Sequence, residues 1–203
     1  MRQVVSFKTA LSNIRDKAED PFRILVSTIL SARTRDPVTE KVSDLLFNEY
    51  PDAASLARAR YASVAKIIRP VNFYKGKTRK IIAASKEIVS KFNGVVPNSY
   101  DQLLELSGVG RKTAGCVLVY GFKLPAIPVD VHVHRISNRI GIVKTKNPED
   151  TEKELLELYG KKDWIEVNEL FVTFGQSVCL PRNPKCSVCP ISSMCDYFQG
   201  LHA

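Results

Sequence analysis

Four of the five cysteines fall between positions 179 and 195, spaced Cys179-x6-Cys186-x2-Cys189-x5-Cys195. They make one complete ligand set, which marks the C-terminal tail as a metal-bearing module. Four thiolates close a tetrahedral site around zinc or hold the irons of a [4Fe-4S] cube, and spacing does not choose between them. Two disulfides or inert buried thiols are the alternatives. The odd fifth cysteine, Cys116, and the lack of an apolar signal segment argue against a secreted, stapled protein.

Lys and Arg number 30 against 21 Asp and Glu, a formal charge of +9. Such an excess favours a polyanion, nucleic acid first and an anionic membrane surface second. No apolar run approaches the roughly 20 residues of a membrane span. The clusters Arg33/Arg35, Lys75/Lys77/Arg79/Lys80 and Arg111-Lys112 read as a distributed phosphate-binding surface, with solvated helix faces as the alternative. The 203 residues suffice for one domain or two small ones.

The apolar pattern is helical nearly throughout. Phe22, Leu25, Val26, Ile29 and Leu30 form one stripe. Asp36-Pro37 reads as an N-cap followed by proline, opening a helix that Tyr50-Pro51 ends. Further helices are expected over Ala53–Ile68 and over 78–92, the latter with Ile81, Ile82, Ile88, Val89 and Phe92 inward and Gly94 as its stop. Ser99 and Gln102 have capping-box spacing before a short helix. Others are expected over 111–120, 130–141, 149–158 and 163–176. The fold class is all-α, with the 121–129 connector between two helical lobes.

Leu106-Ser107-Gly108-Val109-Gly110 reads as a helix-hairpin-helix turn, its glycines taking restricted dihedrals and Val109 holding the turn. Amides freed at the next helix start can receive a DNA phosphate. A plain helix–helix turn is the alternative. Lys112 lies in the first turn of that helix, where the dipole disfavours a cation and a neutral amine becomes more accessible. Such an amine attacks a sugar C1′ to form a Schiff base, whereas an ordinary lysine there only binds phosphate. Asp130 is a natural N-cap, and a carboxylate so placed can also support positive charge on a sugar ring. Trp164 and Cys116 read as packing residues.

LSGVGRKTA at 106–114, PVDVHVHRISNR at 128–139, FGQSVC at 174–179 and the four-cysteine pattern resemble the endonuclease III family of helix-hairpin-helix DNA glycosylases. The resemblance selects a [4Fe-4S] cluster on Cys179, Cys186, Cys189 and Cys195. It implies a six-helix barrel over 18–124, with the hairpin at about 99–120. Residues 1–17 plus 125–203 would form the cluster domain, with DNA bound in the cleft. Lys112 takes the place of the family's nucleophile and Asp130 that of its catalytic aspartate. Together they imply a glycosylase with AP-lyase activity on oxidised pyrimidines such as thymine glycol and on abasic sites. Expected DNA contacts are Arg33, Leu106, Gly108, Val109, Gly110, Arg111, His132, Arg182 and Lys185. The expected partner is damaged double-stranded DNA, with no membrane, and the protein a monomer in a prokaryotic cytoplasm, associated with the nucleoid. A mismatch-directed thymine or uracil glycosylase is the runner-up, and a zinc-stabilised, non-enzymatic DNA-binding protein a third reading.

Several residues depart from the family pattern. Arg33 replaces a glutamine that helps fill the gap left by a flipped nucleotide; an arginine there can grip an opposite guanine through two hydrogen bonds, with phosphate binding as the equal alternative. Asp36 is read as a helix cap. Val131 replaces threonine beside Asp130, which removes a hydroxyl. His134 replaces an apolar residue. Ser107 stands where proline often precedes the hairpin glycine, so a less rigid turn is expected.

Overall fold

The computed structural model describes residues 9–18 and 20–201, all helix, turn and loop. Contacts group the described residues into two compact units, 10–124 and Thr9 with 125–201. Residues 1–8 and His202 lie outside the described residues. No helix among those described is long and apolar enough to cross a membrane.

The first unit contains α1 (Ala10–Ala18), α2 (Pro21–Ser31), α3 (Asp36–Glu49), α4 (Ala53–Ala57), α5 (Tyr61–Ile67), α6 (Tyr74–Phe92), α7 (Tyr100–Leu104) and α8 (Arg111–Cys116). Helix α8 continues as a π turn, Val117–Gly121. Asp20 caps α2 through Phe22 N–H, and Pro21 supplies the preset first dihedral. Ile24, Leu25 and Leu30 are fully buried on α2, which packs on α1, α3, α6, α8 and the π turn. Each such side chain removed from water contributes about 1.5–3 kcal/mol. Helix α1 packs on α2 and α3 and groups with 10–124, while Thr9 falls with 125–201; the sequence reading had set that boundary at 17.

Four local expectations change for tertiary reasons. Arg35 is the N-cap of α3, and the Asp36 carboxylate instead accepts the Ala10 N–H at 3.3 Å, tying α1 to α3. The helix expected over 53–68 is two pieces: an Asp52–Ser55 capping box starts α4, and a new start at Arg60 lets α5 pack on both α3 and α6. Ser99 precedes α7 without a side-chain cap bond. On α6, Ile81, Ile82 and Ile88 are buried but Val89 is 39% exposed, one position beyond the inward face. Asn93 and Gly94, both left-handed, end α6, with Gly94 N–H on the Ile88 carbonyl.

Lys77 departs furthest from its expected place in a solvated basic cluster. It is buried, with 6% exposure, while Lys75, Arg79 and Lys80 around it are exposed.

The second unit holds α9 (Val131–Ile140), α10 (Pro148–Leu158), α11 (Trp164–Ser177), short 3₁₀ turns at Cys186–Val188 and Ser192–Met194, and α12 (Asp196–Gly200). Its core joins Val133 and Ile136 of α9 to Leu155 of α10 and Val167, Phe171 and Phe174 of α11. Trp164 packs on this core and donates its indole N–H to the Tyr159 carbonyl, the packing role expected of it. His134 has a structural use: its Nδ1 meets Thr151 Oγ1 at 2.7 Å, within a network that includes Asn138 and Thr145 and ties α9 to α10.

Candidate functional site

The hairpin follows α7. Leu106 and Val109 are buried, and the Val109 N–H returns to the Leu106 carbonyl at 3.0 Å. Both residues therefore shape the turn from inside. Gly108 has φ +82°, and a Cβ there would fall 2.8 Å from Cβ of Lys80, so conformation and space both demand glycine. Gly110 differs from expectation: its backbone is extended, at φ −108°, and the space a Cβ would occupy is open. Its missing side chain leaves room beside the start of α8. The first turn of α8 has no acidic residue and carries Arg111 and Lys112, both half-buried, so two cations meet the positive helix end. The Arg111 guanidinium lies 5.7 Å from the Tyr100 ring centroid.

Ser107 is not the loosened substitute for proline that the sequence suggests. Its N–H and Oγ donate to the two carboxylate oxygens of Glu87 on α6, at 2.6 and 2.7 Å. Proline could make neither bond. Ser107→Pro is therefore expected to destabilise the chain by about 1–3 kcal/mol by stripping a half-buried carboxylate of two donors. Most of the loss should disappear in a Glu87→Ala background. Thermal unfolding of the four-member cycle measures this coupling, and additive effects would contradict the clamp.

In the other unit, Asp130 is the N-cap of α9. Its Oδ1 accepts the N–H groups of His132 and Val133 at 2.8 and 3.0 Å. Among the described residues, none donates a hydrogen bond to its Oδ2. One carboxylate thus caps the helix through a single oxygen. Val131 is 70% exposed, so the methyl that replaces a hydroxyl there faces solvent. Nδ1 of His132 meets Nη2 of Arg135 at 3.2 Å, and that nitrogen also donates to the Cys179 carbonyl at 2.8 Å. Burial lowers the pKa of Arg135, and the neighbouring Cys179 and Asp130 work in the opposite direction.

All four C-terminal cysteines line one cavity, with Arg139, Phe174, Ile191 and Tyr197 among its other walls. The Cys186 thiol is pushed up first by burial, then by Cys189, Cys179 and Cys195 in turn, so the four sulfurs are electrostatic neighbours. Among the described residues, no three His, Cys, Asp or Glu are set to hold a single metal ion. The four thiols line one common space, and four cysteine sulfurs are a donor set that suits a thiolate-bound metal centre. Arg139 secures the rim: it donates to the Leu180 and Pro181 carbonyls at 2.7 and 2.9 Å and approaches Cys179 Sγ at 3.5 Å. Arg182 and Lys185 are exposed on the Cys179–Cys186 loop.

Arg33 lies on the turn between α2 and α3, exposed and left-handed at φ 55°. Its carbonyl accepts from Asn72 Nδ2, and its guanidinium lies 5.8 Å from the Phe73 ring centroid. Phe73 is itself left-handed, at φ 58°, and 66% exposed. Two left-handed residues thus present a cation and a ring to solvent side by side. Phe73 was not among the residues singled out from the sequence, although the Phe73-Tyr74 pair directly before the basic cluster was a usable signal.

Residues 26–161 match the family described as HhH-GPD superfamily base excision DNA repair protein, and residues 179–195 match the iron-sulfur binding domain of endonuclease III. The endonuclease III of Thermotoga maritima is 46% identical over 183 residues, covering 90% of this chain and 86% of that protein. The chain belongs to the endonuclease III family. Endonuclease III of Bacillus subtilis is 34% identical, with 87% of this chain and 81% of that protein covered. A solved trapped endonuclease III–DNA covalent intermediate, an estranged-adenine complex, superposes with TM-score 0.87 at 32% identity, covering 91% of this chain and 87% of that one. The fold is shared more widely: a thermostable thymine-DNA glycosylase gives TM-score 0.80 at 23% identity over 94% of both chains. In this endonuclease III family member the cysteine module is thus an iron-sulfur binding domain, which displaces the zinc alternative.

Proposed function

We propose that the chain is a base-excision-repair DNA glycosylase with AP-lyase activity, acting on oxidised pyrimidines and abasic sites in double-stranded DNA. The observation that carries this reading is the placing of Lys112 at the opening of the hairpin helix and Asp130 at the head of α9, both within the family match. In it, Lys112 supplies the nucleophile and Asp130 the supporting carboxylate.

The damaged nucleotide leaves the stack, at a cost that poor pairing lowers. Arg33 and Phe73 fill the gap it leaves, the guanidinium toward the opposite base and the ring against the stack. The Gly108–Gly110 backbone with Arg111 holds a phosphate beside the lesion. Asp130 Oδ2 supports positive charge developing at C1′, and Oδ1 keeps the helix capped. The Lys112 amine forms a bond to C1′ as the N-glycosidic pair leaves with the base. The ring opens to an iminium, which acidifies the C2′ proton. Loss of that proton expels the 3′ phosphate, and water then releases Lys112.

Cys179, Cys186, Cys189 and Cys195 would hold a [4Fe-4S] cluster, which would serve to order their loop with no redox step required, and Arg182 and Lys185 on that loop would meet DNA phosphate. The protein works as a monomer in a prokaryotic cytoplasm, on the nucleoid. Purified protein is expected to be brown, with broad visible absorption and iron and acid-labile sulfide in equal amounts. Cys186→Ser should bleach it and weaken duplex binding; a colourless, zinc-bearing wild type would refute the assignment. Lesion choice is tested on duplexes carrying thymine glycol, an abasic site, or thymine or uracil opposite guanine. Excision confined to the mismatched duplexes would replace the oxidised-pyrimidine reading by the mismatch-directed one.

A further inference from the structure

Lys77 is buried on α6, yet among the described residues no carboxylate pairs with it. Its ammonium donates to the Leu30 carbonyl at 2.7 Å, the Ala32 carbonyl at 2.6 Å and Thr34 Oγ1 at 3.2 Å. Burial, with repulsion from Lys80 adding to it, brings its pKa down to about 8. A cation held in so dry a place costs stability unless its bonds return something.

Part of the return is ordinary. Leu30 lies in the last turn of α2, where carbonyls lack helical partners and a positive charge is favoured. A helix cap needs no more than that. The other two bonds lie beyond the helix, at Ala32 and Thr34, on either side of Arg33. The Arg33 carbonyl is taken by Asn72. The turn is therefore fixed at positions 30, 32, 33 and 34, and its exposed member is the left-handed Arg33, whose guanidinium faces Phe73.

We infer that Lys77 is a positioning residue: through the 32–34 turn it holds Arg33 in the one posture that reads the base opposite the lesion. The inference rests on the proposed gap-filling role of Arg33. It separates two tasks, with α6 setting opposite-base preference and Lys112 carrying the bond-making chemistry.

The test uses duplexes with a tetrahydrofuran abasic-site analogue opposite guanine or adenine, and measures Kd for wild type, Arg33→Ala, Lys77→Met and the double variant. Wild type should favour guanine by about tenfold. Lys77→Met and Arg33→Ala should each bring that ratio close to one, and the double variant should lose no more. Lys77→Met should still form the borohydride-trapped adduct on natural abasic DNA within about twofold of the wild-type rate, whereas a generally damaged fold would lose both. A wild-type ratio in Lys77→Met, or losses that multiply in the double variant, overturns the inference while the reading of Arg33 stands. A ratio unchanged by Arg33→Ala defeats that reading and the inference with it, and trapping still reports the lyase. Should Lys77→Met not fold, Asn72→Ala and Thr34→Val release the same turn from its exposed side. Each should lower the ratio, and a wild-type ratio in both also overturns the inference.

Discussion

Replacement of Lys112 by alanine is expected to abolish covalent trapping on abasic DNA and to slow strand cleavage on the order of 10³-fold or more. Duplex binding should change little by comparison. The hairpin is supported by the buried Leu106 and Val109, by Gly108 against Lys80 and by the Ser107–Glu87 pair. Arg111 also remains beside it in the first turn of α8. Lys112→Arg keeps the charge and discards the nucleophile, because guanidinium does not deprotonate in a protein. It should bind like wild type and fail to trap. Trapped adduct in either variant would move the nucleophile elsewhere. Failure of wild type to trap, with intact duplex binding, would remove the lyase activity altogether.

The second large effect is expected at Asp130, where two substitutions separate two jobs. Asparagine keeps an oxygen for the His132 and Val133 N–H groups but carries no negative charge. Asp130→Asn should therefore unfold at nearly the wild-type temperature while base release falls roughly 10²–10³-fold. Asp130→Ala should suffer the same catalytic loss and also about 1 kcal/mol of stability from the missing cap. Calorimetry beside single-turnover excision of thymine glycol makes the comparison. Equal excision by Asp130→Asn and wild type would reduce the carboxylate to a cap.

Much of this was legible along the chain. Helix α9 could be bounded from Asp130 and Gly141, since a side-chain acceptor and a left-handed stop act within a few residues of themselves. The stripe on α2 likewise named a buried face, and the cysteine spacing named a ligand set. What sequence could not show was set by distant partners. Lys77 looked like its exposed neighbours until the end of α2 met it 45 to 47 residues away in sequence. Ser107 looked like a weakened turn because its carboxylate sits twenty positions upstream. Asp36 had every local mark of a cap and was drawn to Ala10 instead. Gly110 was assigned a strained backbone by analogy with Gly108, although only the latter has one.

One helix carries both clamps described above: Lys77 under the Arg33 turn, and Lys80 with Glu87 under the hairpin. At 1.5 Å per residue, the span from Lys77 to Glu87 measures about 15 Å along the axis. Helix α6 thus works as a ruler, and also as a protractor. A single residue inserted between Lys80 and Glu87 would swing Glu87 about 100° away from Ser107 while leaving the Arg33 turn undisturbed. Even this distant, chemically silent edit should therefore put the Arg33 turn and the hairpin out of register.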